Sequence, residues 1–213
     1  GSIAGCGDRD TWWDTYPRGE ATMAMSSGFV VVDTADDQAV VFSVAADLTL
    51  QRLTVGIGNN VTVTAADASH DRAFIASAGA LHRRSPEDEA PALTVIEGAA
   101  GAFTSRRLPL PSAVDQMVVD TEGRWLVLWS TGQQSQLITN PNELFLLDLQ
   151  QPAANVVRFT LDSRDATAPL RLTFSPELHL PGGSRRLLVA QSYKDIHIVD
   201  LDHAGGDAPR PDV

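Results

Sequence analysis

A group of short apolar runs recurs along this chain with a period of about 50 residues, and it restricts the fold more than any other feature. In its clearest copy, residues 115–161, four runs rich in Val, Leu, Phe and Trp are separated by Gly, Pro, Asn, Asp or Gln. Short runs of this composition between turn-forming residues predict β-strands. No helical period separates the runs, so we expect an antiparallel meander of four strands.

Residues at the strand ends recur in register. The third strand of three successive copies ends at Glu97, Asp148 and Asp200, which are 51 and 52 residues apart. Arginines begin the second strands, and aspartate or serine closes the first strands: Arg72, Arg124, Arg186, Asp67, Asp120 and Ser175. Four strands in each repeat of roughly 40–50 residues are the sequence pattern of β-propeller blades.

The repeat predicts an all-β fold, namely a β-propeller of four-stranded antiparallel blades. We place the blades at about residues 21–55, 61–110, 115–161 and 170–201. An N-terminal tether precedes them at residues 1–20, and a Gly/Pro-rich end at 202–213 could begin the next strand. Since closed propellers hold roughly 4–8 blades, these 3.5–4 blades predict an incomplete fragment of a larger propeller. A β-sandwich is the alternative, because evenly spaced short strands also suit that fold.

The run from Val118 to Leu128, with ELFLLDL after it and Phe174-Ser175-Pro176 in the next copy, resembles the WD-like repeat of Tol-type propellers. That repeat joins a Ser-Pro-Asp-Gly turn to an apolar strand that ends in Asp-Leu. The resemblance covers about residues 60–201. The second copy lacks the Ser-Pro pair, and the fourth inserts residues 177–184 at the expected tight turn. The resemblance implies a propeller fold and transfers no catalytic residue.

The N-terminal residues Ile3-Ala4-Gly5-Cys6 resemble the lipobox of bacterial envelope lipoproteins. Small residues before the cysteine let the signal peptidase approach, and the thiol is then acylated. The resemblance implies lipid attachment at Cys6 and a lipid-anchored location in the bacterial cell envelope, in the periplasm or at the outer membrane. The alternative is that Gly1-Ser2 is a cloning remnant and Cys6 an idle thiol. No apolar run of about eighteen residues occurs, so we expect no transmembrane segment.

Two polar loops are the predicted binding surface. Residues 79–91 and 131–142 each join the second and third strands of adjacent blades, so they should emerge on one face. The candidate binding residues are His82, Arg83, Arg84, Gln133, Gln134 and Asn140. A polar protein surface or a glycan suits them better than an apolar ligand, which needs a concave aromatic pocket. The net charge of −11 argues against nucleic acid as a partner. The competing interpretation is that both loops are unselected insertions.

Common catalytic and nucleotide-binding motifs are absent from the sequence. It contains no G-x-S-x-G, H-E-x-x-H, P-loop or G-x-G-x-x-G, so we assign no catalytic residue, metal ligand or cofactor. The repeated carboxylates should instead accept hydrogen bonds from turn amides and pair with the repeated arginines. We therefore expect a non-catalytic cell-envelope lipoprotein that serves as a protein- or glycan-binding scaffold. The alternative is a lactonase-like or quinoprotein-like propeller enzyme whose metal or cofactor site is completed by missing blades.

Overall fold

A computed structural model describes residues 21–44, 47–80, 85–99, 102–131, 141–151, 153–161, 168–180 and 183–202. These ranges contain seventeen β-strands, one 3-10 turn at Ala68–His70 and no α-helix. The first sheet comprises β1 (Ala21–Ala24), β2 (Gly28–Asp33), β3 (Gln38–Val44) and β4 (Leu50–Gly56). The second comprises β5 (Val61–Asp67), β6 (Arg72–Ser77), β7 (Ala92–Ala99) and β8 (Ala102–Pro109).

The third sheet comprises β9 (Gln116–Val119), β10 (Trp125–Trp129), β11 (Glu143–Asp148) and β12 (Val157–Thr160). The fourth comprises β13 (Arg171–Phe174), β16 (Leu187–Gln191) and β17 (Ile196–Asp200). Between β13 and β16 the chain forms a separate hairpin of β14 (Leu178–Leu180) and β15 (Gly183–Arg185). The sequence indicated an insertion at this point, but not that it would form strands.

The predicted all-β fold of four-stranded antiparallel sheets is confirmed. Every paired strand is antiparallel, and in the first three sheets the strands pair in chain order. The alternative β-sandwich is wrong, because β9 to β12 form one continuous sheet and are not divided between two facing sheets. No helix in the described ranges is long and apolar enough to cross a membrane.

Three apolar clusters hold the sheets together, and each lies between two consecutive sheets. Alternation along a strand directs side chains to both neighbours. In β6, Ala73 and Ile75 pack toward the first sheet, whereas Phe74 and Ala76 pack toward the third. In β10, Leu126 and Leu128 pack toward the second sheet, whereas Val127 and the two tryptophans pack toward the fourth. Burial on both faces explains why all of β10 and residues 73–76 of β6 are apolar.

The first strands of consecutive sheets lie side by side, β1 near β5 and β5 near β9. The second strands β6 and β10 are buried, while the outermost strands β4, β8 and β12 are largely exposed. This order, from a shared inner edge to an exposed rim, is the arrangement of β-propeller blades. The four sheets therefore form an incomplete propeller.

The outward faces of the first and fourth sheets carry exposed apolar side chains. On the first sheet, Phe29 and Phe42 stack with ring centroids 5.0 Å apart, and Phe29 is 41% exposed. On the fourth sheet, Ile196 and Ile198 are 69% and 43% exposed. Among the described residues, no buried cluster joins these two sheets.

Candidate functional site

The predicted site residues Cys6, His82, Arg83, Arg84, Gln133, Gln134 and Asn140 all lie outside the described residues. The structure describes parts of both predicted loops, at positions 79–80, 85–91, 131 and 141–142. These parts follow second strands and precede third strands, so both loops start and end at one face of the array, called here the loop face.

The described part of the first loop is anchored to the link between the first two sheets. The Ala80 N–H donates to the Glu89 carbonyl at 2.9 Å. The Glu89 carboxylate accepts a hydrogen bond from the Asn59 N–H at 3.1 Å and another from the Arg107 guanidinium. Beside this anchor, a polar depression of about 460 Å³ is lined by Thr34, Asp37, Asn59, Asn60 and Val61. The loop face thus presents hydrogen-bonding groups.

The opposite face carries a series of contacts between sheets, made by the turns that join first and second strands; we call it the turn belt. Between the first two sheets, Asp71 accepts hydrogen bonds at 2.8 Å from the Ser26 hydroxyl and from the Ser27 N–H. Asp71 has a positive φ of 51°, a conformation that aspartate tolerates better than most residues. One carboxylate therefore joins two turns that are 44 residues apart.

The next contact of the turn belt joins the second and third sheets. The Arg72 guanidinium donates to Asp67 at 2.7 Å and to the Gly123 carbonyl at 2.5 Å. Gly123 has φ of 67°, and a Cβ there would lie 2.3 Å from His70 and 2.5 Å from Arg72. Glycine is thus required both by the backbone conformation and by the close approach of the second sheet.

The last contact joins the third and fourth sheets. The Arg186 guanidinium lies 3.5 Å from the Asp120 carboxylate and also pairs with Glu122. Asp120 in turn accepts hydrogen bonds from the N–H groups of Arg124 and Trp125, at 2.6 and 3.1 Å. The predicted structural role of the repeated Asp and Arg residues is confirmed here. Two partners differ from the prediction, because Glu97 pairs with Arg106 and Asp200 with Arg185.

Asp67 gives the turn belt a pH dependence. Burial raises the pKa of Asp67, but hydrogen bonds from His70 and Ser69 and the charge of Arg72 outweigh burial and hold this pKa below its ordinary value of 3.8. Because the pKa of Asp67 is lower in the folded protein than in the unfolded chain, the ionised carboxylate stabilises the fold at pH values above the unfolded-state pKa. This stabilisation is lost as the pH falls through the folded-state pKa. We expect Asp67→Asn to destabilise the protein fully above about pH 4 and progressively less below it. Urea unfolding across this range measures the difference.

Asp36→Asn is the control for this prediction, because Asp36 lies in an exposed turn. A stability difference that stays constant for Asp67→Asn down to the acid limit would contradict the assignment.

A cleft of about 350 Å³ lies between the third and fourth sheets, at the same face as the turn belt. Its lining residues come from the start of β10, from β11, from the turn between β11 and β12 with the first residue of β12, and from the two residues after β17: Arg124, Trp125, Leu146, Asp148, Gln151, Ala154, Asn155, Val157, Leu201 and Asp202. The Arg124 guanidinium carbon lies 5.1 Å from the Trp125 ring centroid, a cation–π distance. The guanidinium nitrogens of Arg124 lie 2.7 Å from a carboxylate oxygen of Asp202 and 3.8 Å from one of Asp148.

The two tryptophans of β10 differ in their hydrogen bonds. The Trp129 indole N–H donates to the Pro169 carbonyl at 3.0 Å. The Trp125 indole N–H is buried and has no hydrogen-bond partner within the described part of the chain. In the sequence both tryptophans fit the pattern of ordinary strand residues. The cleft was missed because its walls come from segments that are about 25 and 50 residues apart in the chain and carry no recognisable motif.

Within the ranges given above, His, Cys, Asp and Glu side chains form no group of three or more that could hold a metal ion. The carboxylates of the cleft and of the turn belt are held by arginines and backbone amides.

Comparison with known proteins gives similarity in structure only. No protein-family model matches the chain, and no curated protein sequence matches it. Hydrazine synthase from Kuenenia stuttgartiensis is similar at 9% identity with a TM-score of 0.50, over 95% of this chain and 51% of that one. A protein from Lactobacillus plantarum is similar at 12% identity and a TM-score of 0.47, over 88% and 55% of the two chains.

The β-propeller domain of Cps50 (Swd1) from Myceliophteria thermophila also matches, at 9% identity and a TM-score of 0.28, over 92% and 88% of the chains. At such identities a match concerns the fold alone, and of these three only hydrazine synthase reaches a TM-score that supports even that. The chain spans about half the length of the first two structures. Assignment as a propeller therefore rests mainly on the sheet arrangement described above.

Proposed function

We propose that this chain is a non-catalytic β-propeller scaffold that binds a protein or glycan partner in the bacterial cell envelope. The observation that carries the proposal is that charged residues of the turn belt form contacts between sheets and are not free to act on a substrate. Arg72, Arg186 and Asp120 are buried and engaged in contacts between sheets. Groups committed to holding sheets together are poorly placed to exchange protons with a substrate. The loop face and the cleft beside the turn belt remain for contact, and both carry polar side chains.

The loop face is the main partner surface in this proposal. Its scaffold is rigid, since the sheets behind it are packed on both sides, and loops on a rigid scaffold commonly make the contacts of a binding protein. The anchoring of Glu89 holds the end of the first loop in place. Lipid on Cys6 would hold the scaffold at a membrane, and detergent partitioning of the wild type against Cys6→Ser tests that part.

Substituting the candidate loop residues should weaken partner binding without unfolding the protein. The combined variant changes His82, Arg83, Arg84, Gln133, Gln134 and Asn140 to Ala and leaves the Glu89 anchor intact. We expect at least a tenfold loss of affinity, as about 1.4 kcal/mol of lost contacts would produce. Glycan arrays and capture of envelope proteins identify the partner, and surface plasmon resonance measures its affinity.

Gln150→Ala is the matched control, because Gln150 is an exposed amide at the face opposite the loops. Equal affinity of the wild type and the six-residue variant would refute the loop face as the partner surface. A stoichiometric divalent metal ion in the purified protein would favour the enzyme alternative.

A further inference from the structure

Two hydrogen-bond donors in the cleft between the third and fourth sheets are buried and unsatisfied. They are the indole N–H of Trp125, a side chain only 9% exposed, and the Nε–H of Arg124. Burying a donor without an acceptor carries a free-energy cost, which a ligand that supplies the acceptor recovers. Trp129, in the same strand, shows that the fold can satisfy an indole N–H where no ligand is involved.

The charged groups of the cleft, in contrast, already have partners. Arg124 pairs with Asp202 and approaches Asp148. Asp148 also accepts hydrogen bonds from the Gln150 N–H at 3.0 Å and from the Gln151 side chain at 3.2 Å, and Asp202 accepts one from the Arg186 N–H at 3.2 Å. The groups left without a partner in the cleft are therefore two donors, and the cleft needs no counter-ion.

This pattern selects the charge of the ligand. Two carboxylates and one guanidinium line the cleft, which leaves it slightly negative and unfavourable for an anion. A cationic amine offers only donors, so it would leave the indole and Nε donors unpaired. A neutral ligand with several oxygen acceptors avoids repulsion by the carboxylates and also supplies acceptors for both donors.

The shape of the cleft narrows the class further. Ala154 and Val157, the latter 41% exposed, contribute apolar surface, and the amides of Gln151 and Asn155 add donors and acceptors. The volume of about 350 Å³ suits one ring-sized unit. An extended peptide would need a groove several residues long with alternating pockets. A pyranose ring combines an apolar C–H face with hydroxyl oxygens around its edge.

We propose that this cleft binds one neutral sugar unit of a glycan. Hydroxyl oxygens of the sugar accept hydrogen bonds from Trp125 and Arg124, and its hydroxyl hydrogens are donated to the amide oxygens of Gln151 and Asn155. The indole contributes its N–H group, since the guanidinium of Arg124 lies over the ring. The inference rests on the glycan form of the proposed function, but it places the sugar at the face opposite the predicted loops.

Nuclear magnetic resonance of the indole N–H groups tests the proposal at a single atom. The chain has four tryptophans, so its ¹H–¹⁵N spectrum has four indole positions, and the spectra of Trp125→Phe and Trp129→Phe assign two of them. The methyl glycosides of glucose, galactose, mannose and N-acetylglucosamine are titrated separately. We expect at least one of them to shift the Trp125 signal saturably.

Variants then test the role of each group. Trp125→Phe keeps an aromatic ring but removes the donor, and it should weaken sugar binding about tenfold. Because Trp125 packs in the cluster between the third and fourth sheets, this variant also loses buried volume and, like Trp129→Phe, should melt at a lower temperature. Asn155→Ala should weaken binding in the same direction. Trp129→Phe is the matched control and should retain sugar affinity, although it loses the bond to Pro169 and melts at a lower temperature.

Three results would overturn the proposal: no sugar moves the Trp125 signal, glycerol moves it equally, or a protein partner moves it while sugars do not. Failure here is distinguishable from failure of the scaffold function. If the loop variant still loses a partner that the wild type binds, the scaffold stands and only the cleft assignment falls.

Discussion

Replacing Arg186 by Ala is expected to lower the free energy of unfolding by about 3–5 kcal/mol, because it leaves a buried carboxylate without its partner. The side chains of Arg186 and Asp120 are 6% and 0% exposed, so solvent screens their interaction little. Loss of this contact also loosens the fourth sheet from the third. Urea unfolding followed by tryptophan fluorescence measures the effect, since Trp125 and Trp129 lie between these sheets.

Arg158→Ala provides the comparison for an exposed pair. Arg158 lies 3.7 Å from Glu143, but its side chain is 60% exposed. Exposed ion pairs contribute about 0–1 kcal/mol, so this variant should remain close to the wild type. Similar losses for both variants would show that burial of the Arg186 pair does not determine its contribution.

Phe145→Ala should have an effect of comparable size from a different cause. Phe145 is 2% exposed and packs in the cluster between the second and third sheets. Truncating a buried phenylalanine removes its apolar contacts and leaves a cavity, at a cost of about 3–5 kcal/mol. Chemical denaturation should show a lower midpoint with an unchanged slope, because the surface exposed on unfolding stays nearly the same.

Phe29→Ala is the corresponding exposed control. Phe29 stacks on Phe42 at the outward face of the first sheet, where 41% of its surface is exposed. Its loss should cost about 1 kcal/mol, the contribution of an aromatic pair. If the two phenylalanine variants are equally unstable, the outward face of the first sheet is packed in solution.

The strands could be predicted from the sequence because a strand that is buried on both faces requires apolar residues along its length. Strand β10, WLVLW, is buried throughout, and no polar side chain could occupy it without a partner. The recurring Asp and Arg positions also predicted ion pairs near the turns. Their partners were harder to predict, because Arg72 reaches the carbonyl of Gly123, and a backbone oxygen leaves no signature in residue type.

The cleft could not be predicted for a related reason. Trp125 and Trp129 occupy the same strand and the same face, so their sequence patterns are equivalent. What distinguishes them is whether a carbonyl from another segment reaches the indole nitrogen, and this depends on the path of the chain near Pro169. Similarly, the hairpin of β14 and β15 arises from eight residues whose composition indicates only a loop.

The position of the three apolar clusters also determines how stability is distributed among the four sheets. Each inner sheet contributes to two clusters and each outer sheet to one. Such an array resembles a one-dimensional chain with nearest-neighbour coupling, as in solenoid repeats. Unfolding of an outer sheet breaks one apolar cluster, whereas unfolding of an inner sheet breaks two. Partial unfolding should therefore begin at the ends and travel inward, with the centre of the array as the last cooperative unit to melt.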